Sequence, residues 1–261
     1  MNTAILKQLP QKLEGTHRLV YGLIAAWVVS MISLPIFLWT IGESAIVWGV
    51  YVTTALQALA AVVALSTRWP WTRVAYVVGI VVTVTLGAEA LGTATGFPFG
   101  RYNYTDLLQP QVLHVPIIIT VAWLMMLPSS WAVAAVITGA NSGWRFIAVS
   151  AAAMTAWDLF LDPQMVDWGL WVWEDVGSFT YFGIPWQNYF GWLLVSGIVT
   201  ALARPTQLPT NPLLLIYVTV WVLQTIGMLF FWGLVGPAIV GFIGMGLFVT
   251  LVARHYLRDN A

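Results

Sequence analysis

RVAYVVGIVVTVTLGAEALGTAT, residues 73–95, decides the fold class of this chain. A helix needs about 20 consecutive apolar residues to cross the hydrocarbon core of a bilayer, and this stretch is long enough. It carries a single acidic residue, Glu89. Outward from this stretch, the same pattern predicts spanning helices at about 19–40, 44–66, 73–95, 112–137, 144–162, 189–203, 212–232 and 236–256. The sequence therefore predicts an all-α polytopic membrane helix bundle with about eight transmembrane helices.

The composition agrees with a membrane protein and excludes several other classes. The chain has 261 residues, of which 60% are hydrophobic and 8% are charged, whereas soluble domains carry about 25% charged residues. A net charge of zero argues against a nucleic-acid partner, and the absence of cysteine excludes disulfides and thiolate metal sites. We expect a single integral-membrane domain over 1–261, with a polar cytoplasmic segment at 1–18 and no cleavable signal peptide.

The basic residues predict the orientation, because Lys and Arg are enriched on the cytoplasmic side of a membrane. With eight helices, nine of the ten basic residues fall on one side of the membrane: Lys7, Lys12, Arg18, Arg68, Arg73, Arg145, Arg204, Arg254 and Arg258. The other side has only Arg101. This distribution predicts that both termini are cytoplasmic.

Four acidic residues in or beside apolar segments are predicted to share one depth on the outer side: Glu43, Glu89, Asp158 and Asp162. Carboxyl groups at membrane depth are costly and usually functional. Glu43 has a simpler interpretation as a helix N-terminal residue stabilised by the dipole. For Asp162, which precedes Pro163, a turn that ends the helix is an equal alternative.

Two unusual loops are expected above these acids, at residues 95–111 and 162–188. The second is longer than ordinary connections and resembles a functional lid. This loop contains Trp168, Trp171, Trp173 and Trp186. These tryptophans fit either an interfacial belt or the lining of a substrate site. Its other acids, Asp167, Glu174 and Asp175, are interpreted as solvated loop residues, with a position facing a pocket as the alternative for Glu174 and Asp175, which follow Trp173.

Three segments of the sequence resemble a known family: FPFGRYNYTDLLQPQVLHVPI at 97–117, AWDLFLDPQMVDWGLWVW at 156–173 and YFGIPWQNYFGW at 181–192. They are similar to carotenoid hydratases of the bisanhydrobacterioruberin hydratase and carotenoid 1,2-hydratase type, over about residues 85–195. The resemblance implies a hydro-lyase that adds water to the terminal C=C bond of an acyclic carotenoid and gives a tertiary alcohol. It also implies a multi-pass protein of the cell membrane, a lipid-dissolved carotenoid substrate and other carotenoid-pathway enzymes as partners. We expect no cofactor and no metal.

Hydration of such an alkene requires an acid to protonate it and water to capture the cation. Apolar surroundings keep a carboxyl group protonated, and aromatic faces stabilise a cation. We therefore expect Asp158 or Glu89 to be the general acid, and the other carboxyl, or Asp162, to act on the attacking water. The candidate substrate-binding residues are Arg101, Tyr102, Tyr104, Trp123, Trp157 and Asn188. Of these, Arg101 is expected to keep one carboxylate ionised.

Two other functions fit the same acids. A membrane prenyltransferase would use Asp158 and Asp162 as half of a magnesium–diphosphate site, but the nearby loops offer only Arg101 to bind the diphosphate. A proton-coupled transporter also needs buried carboxyl groups, together with a water path that reaches both faces of the membrane.

Overall fold

The computed structural model describes residues 3–174 and 176–259, with the backbone alone at 3–14 and 259. Within these residues the chain forms eight α-helices. They are α1 (Thr3–Ile41), α2 (Ser44–Ser66), α3 (Trp71–Thr95), α4 (Ile117–Thr138), α5 (Trp144–Asp167), α6 (Trp186–Ala203), α7 (Thr210–Phe230) and α8 (Val235–Asp259). The predicted helix bundle is confirmed.

Seven of these helices are long and apolar enough to cross a membrane, and they comprise every helix except α6. The sixth predicted span is thus the one that this criterion does not support. Several predicted bounds were wrong. The first helix starts at Thr3 and takes in most of the predicted polar segment, and α4 starts at Ile117 rather than near 112.

A further error concerns α5, which was predicted to end at Asp162 but continues through Pro163 to Asp167. Proline has no N–H and normally leaves the carbonyl group four residues earlier without a partner. Here that group belongs to Leu159, and the Tyr181 hydroxyl donates to it at 3.0 Å. A side chain from the following loop therefore replaces the missing helical bond, and Asp162 lies within the helix.

Three short antiparallel strand pairs, which the sequence analysis did not predict, organise the loops. They comprise β1 (Tyr102–Tyr104) with β4 (Trp171–Trp173), β2 (Gln111–Val112) with β3 (Val115–Pro116), and β5 (Thr180–Tyr181) with β6 (Ile184–Pro185). The β1–β4 pair joins the α3–α4 connection to the α5–α6 connection, with Tyr102 opposite Trp173. We call the end of the bundle that carries these strands the loop end.

The opposite end, which we call the basic end, is held together by contacts between connections. Arg73 donates to the Arg204 carbonyl at 2.9 Å and to Thr206 Oγ1 at 3.1 Å. The Trp69 indole donates to the Thr206 carbonyl at 2.6 Å. The α2–α3 and α6–α7 connections, which carry several of the basic residues, therefore meet at this end.

The centre of the bundle is α4. It packs against α2, α3, α5, α7 and α8, and most of its residues from Ile118 to Ala134 are buried. Around it, α3 and α6 pack against each other on one side, whereas α1 packs against α2 and α7 on the other. The space between these two groups of helices, next to α4, contains the candidate site.

Candidate active site

An apolar cavity of about 400 Å³ opens among the helices in the loop half of the bundle. Two acids line it, Glu89 on α3 and Asp162 on α5. Glu89 lies six residues before the end of α3 and Asp162 five residues before the end of α5, so both lie about 8–9 Å below the loop end at 1.5 Å per residue. The predicted common depth of these two acids agrees with the structure.

Three donors converge on the Glu89 carboxyl group, whose residue is only 4% exposed. Tyr102 and Tyr104 both donate to Oε2, the latter at 2.9 Å. The Trp123 indole donates to Oε1 at 3.1 Å. The two tyrosines come from β1 and the tryptophan from α4, so the α3–α4 loop and the central helix together fix this carboxyl group.

The two tyrosines are well suited to act as donors. Burial, together with the negative charge of nearby Glu89, raises the pKa of Tyr102 and of Tyr104 well above the ordinary value of 10.0. Both phenols therefore keep their protons across the physiological pH range and remain available to donate to Glu89.

A second group of polar side chains lies on α5 and α6. The Asn188 amide nitrogen donates to Asp158 Oδ2 at 2.8 Å and also to Asp162 Oδ2. The two aspartates are four residues apart on one helix face, and their carboxyl groups interact directly. Both are almost fully buried, at 0% and 3% exposure. Asn188 thus holds two carboxyl groups side by side.

Only one member of this pair faces the cavity. Asp162 and Asn188 line it, whereas Asp158 lies behind them. Among the described residues, Asp158 Oδ1 has no hydrogen-bond partner. A bound molecule would therefore meet Asp162, with Asp158 able to act through Asp162 and Asn188.

Aromatic rings make up much of the remaining wall. Trp123 stacks on Trp192 with ring centroids 4.1 Å apart and an interplanar angle of 12°, and Trp157 packs edge-on to Trp192 at 5.9 Å. From the loops, Tyr102 packs against Trp173 at 4.9 Å, and Tyr104 against Trp171 at 5.7 Å. The cavity therefore presents indole and phenol rings around its acids.

The structure brings together most of the residues singled out in the sequence. Trp173 of the long loop lines the cavity, and so do seven of the candidate site residues: Glu89, Tyr102, Tyr104, Trp123, Trp157, Asp162 and Asn188. Trp168 and Trp171 also line it, which supports the substrate-lining interpretation of these loop tryptophans, whereas Trp186 is 44% exposed and lies elsewhere.

Other predicted residues lie outside the cavity. Arg101 is exposed and is absent from its lining, so the structure does not bring this cation to the acids. Glu43 is an exposed N-cap residue of α2, in agreement with its simpler interpretation. Asp167 and Glu174 are exposed, and Asp175 lies outside the described residues.

The sequence analysis missed several lining residues. Phe99 and Trp192 complete the aromatic wall, and Gln57, Gln164 and Gln224 contribute amides. The signal for Trp192 was present, since it lies four residues after Asn188 on the same helix face. Gln57 and Gln224 carried no such signal, because they lie on α2 and α7, which are far from the acids in sequence.

Comparisons with known proteins agree with the resemblance noted in the sequence. The bisanhydrobacterioruberin hydratase of Haloarcula japonica is 35% identical over 120 residues, which covers 44% of this chain and 39% of that protein. The chain thus matches well under half the length of this curated relative. No solved structure matches the chain. A family model described as "Carotenoid biosynthesis protein" matches residues 48–250. This match covers most of the chain and every residue that lines the cavity except those on α1. The chain belongs to the carotenoid biosynthesis protein family.

Proposed function

We propose that this protein is a carotenoid hydratase that adds water across the terminal C=C bond of an acyclic carotenoid, without a cofactor. The observation that carries the proposal is the placement of Glu89 and of the Asp158–Asp162 pair at one aromatic cavity of about 400 Å³. The similarity to a hydratase of Haloarcula japonica supports the reaction type. The seven apolar helices support a membrane location, for which we propose the cell membrane.

The aspartate pair is the proposed proton source. Two carboxyl groups that share one site cannot both be ionised at low cost, so the pair retains a proton. Asp162 faces the cavity and delivers this proton to the less substituted carbon of the alkene. The electron pair of the C=C bond forms the new C–H bond, which leaves a tertiary cation on the neighbouring carbon. Asp158 and Asn188 position Asp162 for this step.

Glu89 is the proposed base. The three hydrogen bonds that its carboxyl group accepts offset part of the cost of burying its charge. A water molecule in the cavity attacks the cation and forms the C–O bond, and Glu89 accepts the proton that this water loses. Return of that proton to the aspartate pair restores the site. One water is consumed, and the product is a tertiary alcohol.

The aromatic rings have a distinct role in this proposal. A carbocation is stabilised by the faces of Trp and Tyr rings, which cannot trap it as readily as a nucleophilic side chain. Trp157 and Trp192 line the cavity beside the aspartate pair, and Trp123 connects this wall to Glu89. The exclusion of bulk water by these rings strengthens the electrostatic interactions within the site.

Purified protein incubated with lycopene in water enriched in ¹⁸O tests the proposal. We expect a product heavier than lycopene by one water that carries the heavy oxygen isotope. The double variant Glu89→Gln/Asp162→Asn, purified identically, is the control and should give no product. Absence of product from the parent protein across a panel of acyclic carotenoids would contradict the proposed function, as would a product without the isotope.

A further inference from the structure

The cavity is enclosed on most sides by buried residues, and its exposed lining is confined to one place. Of the residues that line it, three are strongly exposed: Ile32 at 55%, Ile226 at 42% and Phe231 at 40%. Ile32 lies on α1, Ile226 on α7, and Phe231 directly follows α7. The lining residues on α3, α4, α5 and α6 are buried or half-buried. The cavity therefore opens sideways, between α1 and α7.

This opening, which we call the α1–α7 mouth, is at the depth of the hydrocarbon. Ile32 is nine residues from the loop end of α1 and Ile226 is four from that of α7, which places them about 14 Å and 6 Å below it. A hydrocarbon core is about 30 Å thick. The mouth thus faces the acyl chains of the leaflet on the loop side.

The chemistry of the mouth matches a hydrocarbon. Its other lining side chains on α1 and α7 include the apolar Met31, Pro35 and Leu223 and one amide, Gln224, and none of them is charged. On the loop side, the rings of Trp39 and Phe231 are 5.7 Å apart and bridge α1 to the end of α7. This aromatic pair therefore narrows the mouth on its loop side.

The acids are at the other side of the cavity. Glu89 lies on α3, and Asp162 is held by Asn188 of α6. The helices α3 and α6 pack against each other, whereas α1 packs against α2 and α7. A molecule that enters through the mouth therefore reaches the acids with its leading end. About 400 Å³ is within the range of pockets that hold drug-sized ligands, so the cavity holds one end of a long polyene and not its whole length.

We propose that the substrate enters from the loop-side leaflet through the α1–α7 mouth, end group first, while most of its polyene chain stays in the lipid. This inference rests on the proposed function for the identity of the substrate. The α1 wall of the mouth precedes the region that the family model matches, so the inference rests on the packing of this chain.

Tryptophan substitutions that narrow the mouth test the route. The test variant is Ile32→Trp/Ile226→Trp. The matched control is Ile239→Trp/Ile243→Trp, which changes two isoleucines on α8 that are 51% and 65% exposed and do not line the cavity. The protein is placed in lipid nanodiscs, and the association of lycopene is measured from the change in the visible absorbance of lycopene. We expect a fall of about tenfold or more in the association rate for the mouth variant alone.

A variant with the opposite expected effect on the association rate distinguishes closure of the mouth from general damage to the protein. Phe231→Ala removes one ring of the aromatic pair and should accelerate association, whereas a structural defect would slow it. Parental association rates in the Ile32→Trp/Ile226→Trp variant would overturn the route, and so would equal losses in the α8 control. Because binding is measured without turnover, lycopene that enters through the mouth but is not hydrated would contradict the proposed function and leave the route intact.

Discussion

Tyr102 lies opposite Trp173 in the β1–β4 pair, with ring centroids 4.9 Å apart, and the hydroxyl group of the same tyrosine donates to Glu89. One residue therefore joins the pairing of two loops to a buried acid on α3. Because the loops come from different connections, the position of the Glu89 carboxyl group depends on the association of both. The predictions below test this dependence and the roles proposed for the acids.

Removal of the Tyr102 hydroxyl should weaken catalysis without unfolding the protein. Tyr102→Phe keeps the ring against Trp173 but removes the hydrogen bond to Glu89. A hydrogen bond to an ionised group, as we propose for this base, contributes about 1.5–3 kcal/mol. We expect turnover to fall by about tenfold to a hundredfold. Tyr76→Phe, at an exposed position on α3, is the control. Parental turnover in Tyr102→Phe, measured by mass analysis of the carotenoid, would show that this bond has no catalytic role.

The packing of α6 against the α3–α4 loop depends on Gly191. A β-carbon there would lie 2.5 Å from Phe99 Cδ1 and 3.1 Å from the Pro98 carbonyl carbon, which leaves no room for it. Gly191→Ala should therefore destabilise the protein by about 1–3 kcal/mol. At Gly197 on the same helix the nearest atom would be 3.7 Å away, and Gly197→Ala should be tolerated. Equal thermal midpoints for the two variants would contradict this account of the packing.

Asn188 should be required both for stability and for turnover. Asn188→Ala removes the amide that donates to Asp158 and Asp162, and loss of such a buried partner costs about 1–3 kcal/mol. Turnover should fall further than the change in stability explains, because the two carboxyl groups lose their common donor. The exposed Asn211→Ala is the control. If Asn188→Ala is destabilised but still hydrates the carotenoid at the parental rate, Asn188 has only a structural role.

The continuation of α5 through Pro163 should depend on Tyr181. Tyr181→Phe leaves the Leu159 carbonyl without the hydroxyl that replaces the missing helical bond, and we expect a loss of about 1 kcal/mol in the free energy of unfolding. Pro163→Ala restores an N–H at this position and should make the protein insensitive to Tyr181→Phe. Additive effects of the two substitutions in a double-mutant cycle would exclude this explanation.

The helix bundle could be predicted from the sequence because the apolar stretches are long and separated by Pro, Gly and Arg. The grouping of Glu89 with Asp162 could also be predicted, since alternating helices place both near the loop end. The extension of α5 could not, because it depends on a hydroxyl group 22 residues away. Nor could the β1–β4 pairing, which joins two separate loops through strands of three residues.

The choice between Asp158 and Asp162 also required the structure. They are four residues apart on one face of α5, and the sequence favoured the deeper one as the acid. Their difference in exposure to the cavity arises from the packing of α6, where Asn188 touches both and only Asp162 reaches the cavity surface. Likewise, the sequence predicts Arg101 on the same side of the membrane as the acids, but its side chain is exposed and does not line the cavity.

The most direct test of the proposed chemistry compares hydration rates of Asp162→Asn and Asp158→Asn in folded, purified protein. Asparagine has nearly the same size as aspartate but cannot supply the proton. Loss of a general acid lowers a rate by about a hundredfold to ten-thousandfold, and we expect a loss in this range for Asp162→Asn and a smaller one for Asp158→Asn. A folded Asp162→Asn protein that hydrates lycopene at the parental rate would contradict the central claim that this carboxyl group delivers the proton.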